Sequence, residues 1–170
     1  MGRKSTKENK NQYQISRENA GLTREAASEK MVYISSDRIE KIESEKSEPH
    51  PDEILAMAEC YKNPSLCNYY CSQECPIGRE YVPQVEMKDL SQITLEMLSS
   101  LNTLQKQKDR LIEITVDGEI SEDEAADFKA IRKDLEKMAM TIDSLRLWVD
   151  STIASGKIDK DLLNERDSGD

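Results

Sequence analysis

Four cysteines crowd one stretch of this chain: Cys60, Cys67, Cys71 and Cys75. The last three recur at every fourth position, so on a continuous helix they share one face, drifting about 40° per step. Three thiolates on one face with a fourth nearby could hold zinc or an iron–sulfur cluster. The surrounding residues argue against it. No paired C-x-x-C knuckle is present, Pro76 stops a helix beside Cys75, and the single histidine, His50, lies well upstream. Two other readings stay open: small thiols packed to lock a helix onto its neighbour, and reversible oxidation of i, i+4 thiols. Stable disulfides do not suit a cytosolic chain.

A second chemical pattern is the acidic run EITVDGEISEDE over Glu113–Glu124. With Glu113 at the first position of a calcium loop, Asp117, Gly118, Ile120 and Glu124 take the fifth, sixth, eighth and twelfth. However, the first position is Glu instead of Asp, and the third is Thr115. The longer carboxylate displaces the metal and one ligand is weakened. The expectation is instead a turn between helices. Gly118 bends the chain, and Ser121 caps the following helix with Glu124 completing a capping box. No nucleophile–base set is visible. His50 sits between two prolines, and the six glycines are scattered with no phosphate-binding loop among them. The chain is expected not to be an enzyme and to need no cofactor.

The elements that position these residues should be helices. Aromatic residues are only 5% of the 170, whereas charged residues are 34% and Leu, Ile, Met, Ala, Glu and Lys dominate the rest. No run approaches the ~18 apolar residues of a membrane span. The start, MGRKSTKENKNQ, has no apolar core of a secretory signal, so a cytoplasmic location is expected. The net charge of −10 gives no bulk attraction to nucleic acid or to an anionic membrane. The charge is uneven, though. Residues 1–24 carry six basic and two acidic side chains, and residues 25–60 carry four and ten. Any hold on phosphate must come from the N-terminal arm and a few placed cations.

The periodicity divides the chain into five parts. Residues 1–11 read as a disordered basic arm. Residues 12–62 hold four short helical patterns. The first begins at Ile15 and stops at Gly21, and the second is capped by Thr23 and runs to about Met31. The third is capped by Ser35 or Ser36 with Ile39 and Ile42 inward, and the fourth has Pro51 in its first turn. Residues 63–86, rich in Pro and Cys, read as a linker with one short helix at about 65–74 and an irregular remainder. Residues 87–156 carry two apolar seams: Leu90, Ile93, Met97, Leu101, Leu104 and Leu111, then Phe128, Ile131, Leu135, Met138, Ile142, Leu145 and Val149. Steps alternating between three and four predict two long helices in an antiparallel hairpin. Residues 157–170 form a polar tail.

The stretch ISSDRIEKIESEKSEP, residues 34–49, has the form of a helix that enters a DNA groove. Such a helix needs an apolar edge to seat it and a polar N-terminal edge to reach bases. Ile39 and Ile42 supply the first; Ser35, Ser36, Asp37, Arg38 and Lys41 supply the second. Residues 13–61 resemble the Cro and phage-repressor (XRE) family of helix-turn-helix regulators. The matching residues are Gly21-Leu22-Thr23-Arg24, Ile34-Ser35, Ile39, Ile42-Glu43, Lys46 and Pro49. The remainder, including YYCSQECPIG, is similar to bacterial members with a cysteine-bearing linker and a helical tail.

That resemblance implies an all-α protein with a four- to five-helix Cro/repressor-like domain followed by a long antiparallel helical hairpin. It implies double-stranded DNA as the partner, with base contacts from Ser36, Asp37 and Lys41 and backbone contacts from Ser35 and Arg24. Arg17, Arg38 and Lys46 complete the expected DNA-binding set, and Glu43 is a structural position in the family. Asp37 could accept a hydrogen bond from cytosine N4. Two features depart from the family pattern. The turn Met31-Val32-Tyr33-Ile34 is one residue longer and lacks glycine, and Glu45 stands where glycine ordinarily ends the third helix. The seams leave the hairpin's partner open between an intramolecular neighbour and a second copy in a homodimer. The competing function is a helical protein-interaction adaptor with a degenerate helix-turn-helix, and the acids of the third helix favour it.

Overall fold

Short polar side chains set the helix starts. In this computed structural model, which describes residues 10–159, Asn11, Thr23, Ser35 and Asp89 each stand in extended backbone just before a helix. Each accepts a backbone N–H three residues on: Gln14 at 3.0 Å, Ala26 at 3.1 Å, Arg38 at 3.2 Å and Gln92 at 2.9 Å. Such a cap is worth about 1 kcal/mol. The helices that follow are α1 (Gln12–Asn19), α2 (Arg24–Met31) and α3 (Ser36–Glu43), with α4 (Pro51–Cys60) started by Pro51. Then come α5 (Ser65–Tyr69), a π-helical turn (Tyr70–Glu74), α6 (Pro76–Tyr81), α7 (Leu90–Ile114) and α8 (Ala125–Ala154). The described residues are all-α and contain no strand.

Left-handed residues set several helix ends. After α3, the Glu45 N–H donates to Ile42 O at 3.1 Å and the Lys46 N–H to Lys41 O at 2.9 Å. This is the paired closure that glycine usually permits, yet Glu45 makes it at φ 59°. Gly21 and Lys62 close α1 and α4 in the same way. The departure at Glu45 therefore leaves the cap intact and places its cost in the backbone.

Two compact units are present, one of residues 10–84 with 149–159 and one of residues 85–148. In the first, Tyr13, Ala27, Met31, Ile34, Ile39, Ile42, Ile54, Met57, Ala58, Tyr61 and Leu66 form one buried apolar cluster. Leu22, Cys60, Cys67, Tyr69 and Tyr70 pack against it. Residues 63–84, expected as a linker, fall within this unit, and the short helix expected at about 65–74 is α5 with the π turn. The remainder expected to be irregular contains α6. That helix sits so close to the preceding π turn that a Cβ on Gly78 would lie 2.0 Å from the Cys71 carbonyl oxygen. α1 also starts earlier than Ile15, because Asn11 caps it from within a polar stretch. Most of the expected basic arm (residues 1–9) and most of the polar tail (160–170) fall outside the described residues.

In the second unit, α7 and α8 are tied by Gln107 Nε2 to Asp134 Oδ2 at 2.8 Å and by Arg110 Nε to Asp127 Oδ2 at 2.7 Å. These pairs run in opposite order along the two helices. The buried positions are Ile93, Ser100 and Ile114 on α7 and Ile131, Thr141, Ser144 and Leu147 on α8. The expected seams match at Ile93 and Ile131, but Leu90, Leu101, Leu135 and Ile142 are exposed. Hydroxyl chemistry explains part of the shift. Thr141 Oγ1 donates to Lys137 O at 3.0 Å and Ser144 Oγ to Met140 O at 2.9 Å. A side chain satisfied by its own helix can be buried without a partner elsewhere. Between the helices, Ser121 N–H donates to Glu124 Oε2 at 3.1 Å, giving one arm of the expected box. The Ser121 hydroxyl donates to the same carboxylate instead of accepting from the helix. Gly118 makes the bend at φ 77°.

Candidate nucleic-acid interface

In α3 the sequence SDRIEKIE alternates burial at helical spacing. Ile39 and Ile42 are buried, at 0% and 2% exposure, and fix one side of the helix to the core. On the other side the Asp37 and Lys41 side chains are 82% and 52% exposed, their charged ends 3.5 Å apart. Ser36 is half-buried and Ser35 exposed, the latter with its hydroxyl on the Arg38 N–H. Lys46, just past the helix, reaches Glu40 at 3.0 Å and is itself 63% exposed. Lys46 is the main reason that the Glu40 carboxyl lies below its usual pKa.

Two arginines expected at this surface turn inward. Arg17 is 7% exposed, with Nε and Nη2 on Glu43 at 2.5 and 2.9 Å and Nη1 on the Leu22 carbonyl at 2.7 Å. Burial disfavours its charge, but the hydrogen bonds from Arg17 to Glu43 more than compensate, and its pKa rises. Arg24 Nε joins the same carboxylate at 2.8 Å while its side chain stays 34% exposed. One buried acid on α3 thereby holds both α1 and the start of α2. Arg38 clamps Glu53 on α4 through Nε at 2.7 Å and Nη2 at 2.6 Å, and also bonds Ser47 Oγ and Glu48 O. That hydrogen bonding holds the Glu53 carboxyl below its usual pKa. A long basic side chain next to a groove-facing helix reads as a phosphate ligand in sequence. In three dimensions an acid on another helix captures it first.

The turn before α3 carries residues that sequence reasoning passed over. Val32 adopts φ 61° and ψ −47°, and the Tyr33 N–H closes a three-residue ring onto Met31 O at 2.7 Å. This is a γ-turn of the rarer, strained hand, on a β-branched residue that disfavours it. It leaves Val32 and Tyr33 exposed at 88% and 63% beside the N-terminal end of α3. Tyr33 Oη donates to the Asp52 carbonyl at 3.0 Å. The absence of glycine was the signal, since the extra residue has to take the left-handed conformation itself.

The four cysteines are free and half-buried. Burial raises the pKa of the Cys60 and Cys67 thiols, which leaves them less reactive as nucleophiles. The π turn breaks the fourfold spacing between Cys71 and Cys75, and Cys75 instead caps α6 with Sγ 3.4 Å from the Gly78 N–H. Among the described residues no group of three or more His, Cys, Asp or Glu side chains is arranged to hold a metal, in this segment or in the loop at 113–124. No described helix is long and apolar enough to cross a membrane.

No family model, no curated protein and no solved structure matches this chain.

Proposed function

We propose that the first unit is a helix-turn-helix domain that binds double-stranded DNA sequence-specifically, and that the protein regulates transcription. The observation that carries this reading is α3, with Ile39 and Ile42 buried while Asp37 and Lys41 stand open on its other side. Ser36, Asp37 and Lys41 are the assigned base readers, with Asp37 suited to a cytosine amino group. Arg24 and Lys46 are assigned to the phosphate backbone, and the exposed Val32 and Tyr33 to apolar contact with sugars or thymine methyls. Arg17 and Arg38 take structural roles. With so few free cations, affinity should be modest and its salt dependence shallow.

Selection from random duplex DNA followed by gel shift tests this. The wild-type chain should enrich one sequence, and Lys41→Glu should weaken binding to it about tenfold or more, since a base contact is worth about 1–3 kcal/mol. Lys41 is exposed, so folding should not change.

A second reading is a helical adaptor for protein partners that keeps this fold without binding DNA. The pairing of Lys41 with Asp37 and of Lys46 with Glu40 favours it, because these acids weaken attraction to phosphate. Selection that enriches nothing would decide for the adaptor.

The second unit is assigned to self-association. Leu90, Leu95, Leu98 and Leu101 on α7 and Leu135, Met140 and Ile142 on α8 are exposed. Apolar area of this kind marks interaction surfaces, and a dimer would offer two copies of α3 to half-sites about 34 Å apart. Sedimentation should show a dimer that Leu98→Glu with Leu101→Glu converts to monomer. A wild-type monomer at micromolar concentration would end this assignment.

A further inference from the structure

The first unit contains a cavity of about 500 Å³ whose wall includes Ile42, Ser47 and Pro49. That volume lies in the range of small-ligand pockets, roughly 300–1,000 Å³. Three tyrosines, Tyr13, Tyr69 and Tyr70, line it together with three carboxylates, Glu45, Glu48 and Glu74. The Tyr13 and Tyr69 rings meet edge to face with centroids 5.9 Å apart. Tyr13 Oη donates to Glu74 Oε2 at 2.7 Å. Burial raises the Glu74 pKa against that hydrogen bond, and the charges of Glu48 and Glu45 push it further in the same direction.

Against its three carboxylates the lining of this chamber carries one cation, Arg79. The sheltered acids of the unit other than Glu74 each have a cation: Glu43 has Arg17 and Arg24, Glu53 has Arg38, Glu40 has Lys46, and Glu18 has Lys10, whereas Glu45 and Glu48 are exposed. Among the described residues no ion pair reaches Glu45, Glu48 or Glu74, and Lys46, next in sequence to Glu45, is turned to Glu40. Arg79 also lines the cavity but is exposed and forms no ion pair with these acids. A compact metal ion is a poor fit, because the carboxylates do not form a coordinating group. A hard cation would also have to give up water to ring faces that offer no oxygen ligands. An alkylated ammonium ion differs on both counts. It is weakly hydrated, aromatic faces attract it through their quadrupoles, and nearby carboxylates need not touch it to hold it.

We propose that this cavity binds a small organic ammonium ion, with Tyr13, Tyr69 and Tyr70 as its aromatic wall and Glu48 and Glu74 as its counter-charges. The proposal does not depend on what α3 contacts. Through Ser47 and Glu48 the wall joins the residues held by Arg38, so occupancy bears on the segment between α3 and α4.

The test titrates the full chain with choline, tetraethylammonium and spermidine, and with 3,3-dimethylbutan-1-ol as the uncharged counterpart of choline, following the tyrosine ring signals by NMR. At least one ammonium ion should shift the Tyr13, Tyr69 and Tyr70 rings saturably, and the alcohol should not. Glu74→Gln should weaken binding roughly tenfold, and Tyr70→Leu, which leaves the charge unchanged, several-fold. Glu48→Gln should also weaken it, and because Glu48 is exposed this variant keeps the fold if loss of the Tyr13 contact disturbs the other. Equal binding of the alcohol, indifference to Tyr70→Leu and Glu48→Gln, or no saturable shift with any of the three cations at about 10 mM overturns the proposal.

Discussion

Replacing Glu43 with alanine is expected to cost the first unit about 3–5 kcal/mol, the usual effect of stranding a buried charge by removing its partner. The Glu43 side chain is 1% exposed and accepts from Arg17 on α1 and Arg24 on α2. Without it, the Arg17 guanidinium stays buried with only the Leu22 carbonyl, and three helices lose their common anchor. The loss is comparable to the whole stability of many small domains, about 5–15 kcal/mol. Urea denaturation followed by far-UV circular dichroism should show an early transition confined to part of the helical signal. The contrast that isolates the mechanism is the double variant Glu43→Leu with Arg17→Met. Removing both charges should recover much of the stability, since an apolar pair of similar volume is often neutral or better. If Glu43→Ala unfolds at the wild-type urea concentration, the anchor is not a stabilising element.

Ile39→Ala should come next in size, at about 2–5 kcal/mol, because it empties a fully enclosed site. The same truncation at Leu55, which is 64% exposed, should change stability by under about 0.5 kcal/mol. The pair also bears on function. Ile39 touches no ligand in the proposed arrangement, so under conditions where the variant still folds it should lose DNA affinity only as far as α3 shifts. Thermal melts alongside gel shifts separate the two effects. A variant as stable as wild type would mean that α3 is not seated by this side chain.

Several elements were legible in the sequence because their causes are local. Thr23, Ser35 and Pro51 announce the starts of α2, α3 and α4, and the spacing of Ile39 and Ile42 gives the buried side of α3. Gly118 places the bend between α7 and α8. The misread parts depend on partners far along the chain. Arg17 meets Glu43 across 26 residues and Arg38 meets Glu53 across 15, and nothing in their immediate neighbourhood marks them as captured. In the segment 63–84 the short helix at about 65–74 was legible, but the stretch after it looked irregular because prolines punctuate it. The segment's packing rests on Leu66, Tyr69 and Tyr70, an apolar face at helical spacing but too short to stand out as core between Pro64 and Pro76. In α7 and α8, periodicity located an apolar band but not which column of it is covered, since Ser100, Thr141 and Ser144 are buried one place before the expected Leu101, Ile142 and Leu145.

The backbone conformations at Val32 and Glu45 bracket α3 at both ends, one just before its cap and one just after its last turn. Each costs of order 1–3 kcal/mol, and each is held by the backbone hydrogen bonds that close its turn. A slip of a single residue at either end would have to rebuild the whole stretch between them. The helix therefore behaves as a gauge of fixed length. Its rise sets Ser36 and Lys41 about 7.5 Å apart along the axis, a little over two base-pair steps of a duplex, and any surface that α3 measures has to match that interval.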